Sequence, residues 1–172
     1  MIVAIVYNTY AGHTKKYAEM LSESILLPMF SVEDAKKYLP KDSEIIYLSW
    51  VKNNRLTKYN FVKKYFNVAI VGVVGLNNYD KEQTKINFIG YNNINTDKVF
   101  FLKGGIDLEK LQFLSKSYIQ NFGKKLKDCI IKNGIVSTKQ YEQVALCENG
   151  GSYISKSNLN GLIGVYNKNY YI

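Results

Sequence analysis

The chain has 172 residues, 47% of them hydrophobic, which fits one globular domain with a substantial core rather than a disordered chain. Its 23 basic and 14 acidic side chains give a formal charge of +9. The basic residues are scattered lysines with a single arginine, a pattern typical of a solvated surface, and this disfavours a nucleic-acid-binding protein.

The first stretch, Ile2 to Tyr7, is an unbroken apolar run that predicts a strand buried on both faces of a parallel sheet. Residues 8–14 follow as a polar loop with hydroxyls, one glycine and no acid. From Thr14 the apolar positions recur at helical spacing, which predicts a helix of about thirteen residues. A strand that enters a helix through such a loop presents backbone N–H groups and a positive dipole end, which suit a phosphate. The alternative is an ordinary βα turn in which Thr and Asn only cap the helix.

Further apolar runs predict four more strands, and helical segments are expected between them. The strands are expected at residues 28–32, 43–49, 68–74 and 98–103, and the helical segments at 33–39 and 57–65. Residues 81–96 fit neither pattern and stay unassigned. Strands that alternate with helices predict a five-stranded parallel α/β sheet, whose ligand lies beyond the carboxyl ends of the strands.

The last third of the chain changes character. From Asp107 to Lys132 the apolar spacing predicts a long helix or helix pair, followed by a short helix through Ala145. Two apolar runs, 153–155 and 162–166, flank a Ser-Asn-Leu-Asn-Gly segment and predict a terminal β-hairpin. We therefore expect a single domain over residues 1–172, with a core of 1–147 and a C-terminal extension of 150–172.

The loop Thr9-Tyr10-Ala11-Gly12-His13-Thr14 resembles the flavodoxin phosphate loop, T/S-x-T/S-G-x-T, which wraps the phosphate of FMN. Ala11 departs from the pattern, so one hydroxyl donor is missing while the backbone amide remains. In flavodoxins the loops after the third and fourth strands cover the two faces of the flavin ring. Here these loops contain Trp50, the only tryptophan, and Tyr79. The resemblance implies a flavodoxin-like fold, FMN as cofactor, and these candidate cofactor-binding residues: Thr9, Tyr10, Ala11, Gly12, His13, Thr14, Ser49, Trp50, Val51, Lys52, Asn53, Gly75, Asn77 and Tyr79.

A second resemblance concerns residues 100–111, Phe-Phe-Leu-Lys-Gly-Gly-Ile-Asp-Leu-Glu-Lys-Leu. The segment is similar to F-F-L-x-G-x-x-D-x-x-K-L in flavodoxin-domain proteins related to the quinone-dependent protoporphyrinogen oxidases. That similarity implies a helical insertion after the fifth strand, over residues 107–132, and a closing helix at residues 141–144.

The function that these resemblances imply is electron transfer or small flavin oxidoreductase activity, with a protoporphyrinogen oxidase-like enzyme as one form. The partner would be a redox protein or an anionic small-molecule substrate, and Arg55, beyond the Trp50 loop, could pair with such a substrate. No catalytic residue and no metal-ligand motif are apparent in the sequence. No apolar run approaches the roughly 20 residues of a membrane helix, so a cytoplasmic protein without a transmembrane segment is expected.

Two other classes of protein share this five-stranded layout. A flavin-free interaction module on the same fold is the main alternative, because Ala11 and the C-terminal hairpin depart from the flavodoxin pattern. A receiver-type signalling domain is disfavoured, because Asn8 and Ser49 stand where that class needs acidic residues.

Overall fold

The computed structural model describes residues 1–76, 82–111, 113–134 and 138–170, without the side chains of residues 114, 115 and 139. Contacts divide the chain into two compact units. Unit 1 comprises residues 1–104 and 154–172, and unit 2 comprises residues 105–153. The prediction that the whole chain forms a single domain stays a prediction.

Unit 1 is built on a sheet in which five parallel strands follow the order β2-β1-β3-β5-β6 within the described residues. This is the flavodoxin-like strand order. The order in which the chain adds strands to the sheet reverses beside β1. A short strand, β4, pairs antiparallel with the end of β3. The strands of unit 1 are β1 (Ala4–Asn8), β2 (Met29–Ser31), β3 (Glu44–Lys52), β4 (Arg55–Leu56), β5 (Asn67–Gly75) and β6 (Val99–Lys103).

Helices cover both faces of this sheet. The side chains of β3 alternate between two buried clusters: Ile46 and Leu48 face one, and Ile45 and Tyr47 face the other. The first cluster contains residues of α1 and α7, and the second contains residues of α2, α3 and α4. The helices of unit 1 are α1 (His13–Ile25), α2 (Val32–Tyr38), α3 (Tyr59–Val62), α4 (Glu82–Tyr91) and α7 (Asn160–Tyr170), the last preceded by a 3₁₀ turn (Lys156–Leu159). The predicted fold class, a flavodoxin-like α/β sheet between helices, is confirmed.

The predicted C-terminal hairpin is wrong, because residues 160–170 form the helix α7. Leu159, Leu162 and Tyr166 recur at helical spacing and are buried in the cluster that contains α1. The β-branched residues around Gly164 favour a strand locally, but burial of this helical stripe outweighs that preference. The region is therefore the last helix on the sheet rather than an appended extension.

The described part of unit 2 contains two helices and a small antiparallel ladder. These are β7 (Gly105–Ile106), α5 (Phe113–Asn133), α6 (Thr138–Asn149) and β8 (Gly151–Ser152), with β7 paired to β8. The helices pack closely where Gly123 faces Cys147, because a Cβ on Gly123 would lie 2.5 Å from the Cys147 Cβ. The helix expected to close the fold at residues 141–144 thus belongs to unit 2, and α7 takes that role.

Two predicted helix bounds also need correction, and one unassigned stretch contains a helix. The helical segment expected at 57–65 shortens to Tyr59–Val62, and the helix expected from Asp107 begins at Phe113. The unassigned stretch 81–96 contains α4 over Glu82–Tyr91.

Candidate functional site

The carboxyl ends of the central strands lie side by side at one edge of the sheet. Asn8 at the end of β1 pairs in register with Ser49 of β3, and Trp50 pairs with Val74 of β5. Gly75 pairs in turn with Lys103 of β6. The loops after β1, β3 and β5 therefore leave the sheet from neighbouring positions, where ligands of open α/β sheets bind.

The loop after β1 turns tightly into α1. Gly12, the residue before the helix, has φ +93°, a left-handed conformation that favours glycine. Its N–H donates to the Thr9 hydroxyl (3.1 Å), which closes the turn. Over the described residues 9–16, no side chain caps the helix and its first turn carries no acid. The helix dipole is thus left uncompensated at this end, as an anion site requires.

The remaining loop residues differ in exposure. Thr14 is buried in the first turn of α1, while Ala11 and His13 are half-buried. Tyr10 is exposed over 52% of its surface and points toward the next loop of the edge. A Cβ added to Gly12 would meet no atom within 4 Å, so the turn has open space beside it.

A partly buried polar network lies beneath the loops. The Asn8 amide donates to the Ser49 hydroxyl (3.3 Å) and to the Thr57 hydroxyl (2.8 Å). Thr57 donates to the Trp50 carbonyl (2.9 Å), and Tyr47 donates to the Thr57 carbonyl (2.6 Å). Burial raises the pKa of Tyr47 well above its usual value, so this hydroxyl stays a donor. Ser49, a predicted site residue, is fully buried and positions Thr57 within this network.

The loop after β3 is a two-residue hairpin that joins β3 to β4. Asn53 and Asn54 both have positive φ (50° and 61°), as the tight hairpin turn requires. Asn92, at the end of α4, holds the hairpin from outside: its carbonyl oxygen accepts from Leu56 N–H (2.7 Å), and its amide donates to the Asn54 carbonyl (3.1 Å). These bonds fix the backbone of the second half of the hairpin, whereas Trp50 lies in its first half.

Within this hairpin the predicted site residues face opposite ways. Val51 packs with Leu56 against the buried cluster beneath α4, so its side chain is directed away from the edge. Trp50 and Lys52 lie on the other face, by the alternation of a strand. Lys52 and Asn53 are exposed.

The aromatic side chains of the first two loops meet. The rings of Tyr10 and Trp50 lie 5.5 Å apart, tilted by 34°. For a third ring to lie between them, the centroids of Tyr10 and Trp50 would have to be roughly 7 Å apart, which is twice the van der Waals separation of two stacked rings. A planar ligand could therefore contact only the other face of Trp50 without displacing Tyr10. Asn77 and Tyr79, predicted for the opposite side of the ring, lie outside the described residues.

At the β6 end of this edge, the backbones of Gly75 and Gly104 lie close together. The Gly104 N–H donates to the Gly75 carbonyl (2.9 Å), and a Cβ on Gly104 would lie 3.2 Å from that oxygen. Beside it, Tyr17 of α1 donates to the Lys103 carbonyl (2.6 Å) and accepts from the Asn158 amide (2.6 Å). Burial raises the pKa of Tyr17, so its hydroxyl is protonated in this bridge.

Sequence reasoning missed Thr57 and Asn92. Thr57 lies beyond a turn that the sequence pattern does not reveal, and the partners of Asn92 are 36 and 38 residues away. A polar residue within an unassigned stretch gives no local signal of such a role. Only the hairpin geometry identifies both residues.

The described residues lack two further features. They contain no cluster of three metal-ligating side chains. Across the same part of the chain, no helix has the length and apolar character needed to cross a membrane.

Together, the strand order, the uncapped glycine turn into α1 and the aromatic loop after β3 define a flavodoxin-like α/β protein. A family model for the flavodoxin domain matches residues 4–129, well over half of the chain, so the protein belongs to the flavodoxin domain family. The match includes all five parallel strands and the loop at residues 9–14. A search among curated proteins found no match. Membership supports a flavin-binding redox function in general terms.

Proposed function

We propose that this protein binds FMN at the carboxyl edge of the sheet and functions in electron transfer or as a small flavin oxidoreductase. The observation that carries the proposal is the placement of Trp50 beside the phosphate-type loop, with Tyr10 of that loop against its ring. One edge thus combines a helix N-terminus that suits an anion with an aromatic surface, which are the two parts that a flavin mononucleotide needs.

The residues present fit this cofactor. The loop offers the Thr9 hydroxyl and backbone amides to a phosphate, and no carboxylate opposes it within residues 9–16. Gly12 leaves open space where any other residue would project a Cβ. Ala11 contributes only its amide, so the site has one hydroxyl fewer than the family pattern.

When bound, FMN supplies the one- or two-electron chemistry. The chain itself would bind the cofactor, orient it and shield it from water. The N-terminus of α1 holds the phosphate, Trp50 excludes water from one face of the ring, and Asn92 keeps the hairpin in place. No acid–base pair is assigned to the edge, so the proposal names no catalytic residue.

A finer proposal is activity like that of the quinone-dependent protoporphyrinogen oxidases. Its support is the resemblance of residues 100–111 together with the helical unit that interrupts the fold between β6 and α7. Porphyrin fluorescence, recorded after the flavin-loaded protein is mixed with protoporphyrinogen and a quinone under nitrogen, tests it. Rates equal to the protein-free control would reject the oxidase and leave the carrier function.

The test of the general proposal uses the only tryptophan as reporter. Purified protein should show flavin absorbance at about 375 and about 450 nm, or bind added FMN in a saturable way. Binding should quench Trp50 emission, because the ring lies against this side chain. Riboflavin, which lacks the phosphate, should bind more weakly. A colourless protein that changes neither FMN fluorescence nor Trp50 emission would instead support a flavin-free interaction module.

A further inference from the structure

Two cationic side chains stand opposite each other at the tip of the β3–β4 hairpin. Lys52 and Arg55 are a direct cross-strand pair, on either side of Asn53 and Asn54, and all four residues are exposed. The Cβ atoms of such a pair are about 4.5–5.5 Å apart, and like charges at this distance destabilise a hairpin. The arrangement becomes favourable when an anion lies against both cations.

The described part of the chain does not provide that anion. In the described residues, no carboxylate lies within ion-pair distance of Lys52 or Arg55. Lys58, three residues further along, does have an acidic partner in Glu33. Among the described residues, the two cations of the hairpin tip therefore have no acidic partner.

The tip is held in a fixed position before any partner arrives. The Arg55 guanidinium lies over the ring of Tyr91, 5.0 Å from its centroid. The next residue, Asn92, binds the backbone of the hairpin at Leu56 and Asn54. The end of α4 thus orders both the backbone and one of the two cations, which lowers the entropy lost on binding.

The shape of the tip indicates the size of its partner. Small molecules are bound in concave sites that cover most of their surface, whereas all four residues of this hairpin tip are exposed. Nucleic-acid strands need free aromatic faces for base stacking. Beside this tip, Arg55 covers one face of Tyr91, and the face of Trp50 that Tyr10 does not contact is the one that the proposed flavin would occupy. A protein surface with exposed carboxylates fits this tip best.

We propose that the hairpin tip, residues 52–55, docks an acidic surface of a redox partner protein, with carboxylates against Lys52 and Arg55. The proposal rests on the proposed function, because a partner must reach the edge that holds the flavin to exchange electrons with it. The overall charge of +9 adds long-range attraction for the same partner.

The experiment measures binding of a dye-labelled oligoglutamate peptide to the flavin-loaded full chain by fluorescence anisotropy. Arg55→Glu is compared with Lys124→Glu, which makes the same charge change at another exposed lysine. We expect Arg55→Glu to weaken peptide binding about tenfold or more, and Lys124→Glu by less than about threefold. Raising the salt concentration from about 0.02 M to about 0.5 M should remove the difference.

Arg55→Glu also places opposite charges across the hairpin, so its melting temperature should stay close to that of the parent chain. Equal weakening by both variants would overturn the proposal, because net charge alone would then explain binding. Tighter, Arg55-dependent binding of oligouridylate would also overturn it, in favour of nucleic acid. A separate FMN titration of the same variants tests the proposed function: failure of flavin binding rejects that function, and the Arg55 dependence still decides whether the tip binds acidic chains.

Discussion

Replacing Gly12 by alanine tests the proposed phosphate site most directly. Gly12 has φ +93°, so an L-residue there costs about 1–2 kcal/mol of folding free energy. No atom lies within 4 Å of the new methyl group, so no steric clash adds to this cost. For a chain of this size the melting temperature should fall by about 2–8 °C.

The effect on flavin binding should be larger than the effect on folding. The methyl group would occupy the open space beside the turn, where the phosphate is proposed to lie. Loss of one charge-assisted hydrogen bond of about 1.5–3 kcal/mol weakens FMN binding about 10- to 150-fold. Riboflavin has no phosphate, so its affinity for Gly12→Ala should equal its affinity for the parent protein.

The assay is a titration of each flavin followed by Trp50 emission, at a temperature well below the melting transition. Gly134→Ala is the matched control, because Gly134 also has positive φ (+61°) and no atom within 4 Å of an added Cβ. It should lose a similar amount of stability and keep FMN affinity. The reasoning would be refuted if Gly12→Ala weakened FMN and riboflavin equally, or if Gly134→Ala weakened FMN as much.

Three further predictions concern the supports of the site and the fold. Asn92→Ala should cost about 1–3 kcal/mol and shift Trp50 emission to longer wavelength, because Leu56 N–H loses its buried acceptor; unchanged urea unfolding would contradict this role. Leu162→Ala should lower the free energy of unfolding by about 2–5 kcal/mol, because Leu162 is fully buried. Gly164→Ala should raise it by about 0.5–1 kcal/mol, because Gly164 lies inside a helix and has open space beside it. Urea unfolding measures both changes, and destabilisation by Gly164→Ala would contradict the helix α7. Burial raises the folded-state pKa of Tyr47 above that of an unfolded tyrosine, which titrates at about pH 10. The contribution of Tyr47 to the free energy of unfolding is therefore complete below about pH 10 and falls as the pH rises further. Tyr47→Phe should therefore flatten the decline of stability above that pH, and an unchanged decline would reject this assignment.

The strands and α1 could be predicted because their signals are local. Continuous apolar runs such as that of β5 are buried by helices on both faces, so periodicity and burial agree. The loop at residues 9–14 could be found because its glycine and hydroxyls follow a fixed spacing along the chain. Its Gly12 has the left-handed φ that explains why a glycine stands there.

The remainder of the site depends on contacts between distant residues. The hairpin turn uses Asn53 and Asn54 at positive φ instead of the more common Asn-Gly, so its signal in the sequence is weak. Asn92 acts on that turn from another helix, and no pattern links the two. The prediction of a hairpin over the residues of α7 is wrong because their β-branched side chains favour a strand, whereas the helix is stabilised by packing on α1.

The position of unit 2 in the chain has a physical explanation in the junction that it interrupts. The chain leaves unit 1 after Gly104 and returns at Ile154. Tyr17 binds both sides of this junction, through the Lys103 carbonyl and the Asn158 amide. Because these two points are held together by unit 1 itself, any segment between them closes a loop whose ends are already fixed, and added length costs little free energy. The last helix of the sheet can therefore follow a long insertion without loss of the fold, and the same tyrosine anchors the helix whose N-terminus forms the proposed phosphate site.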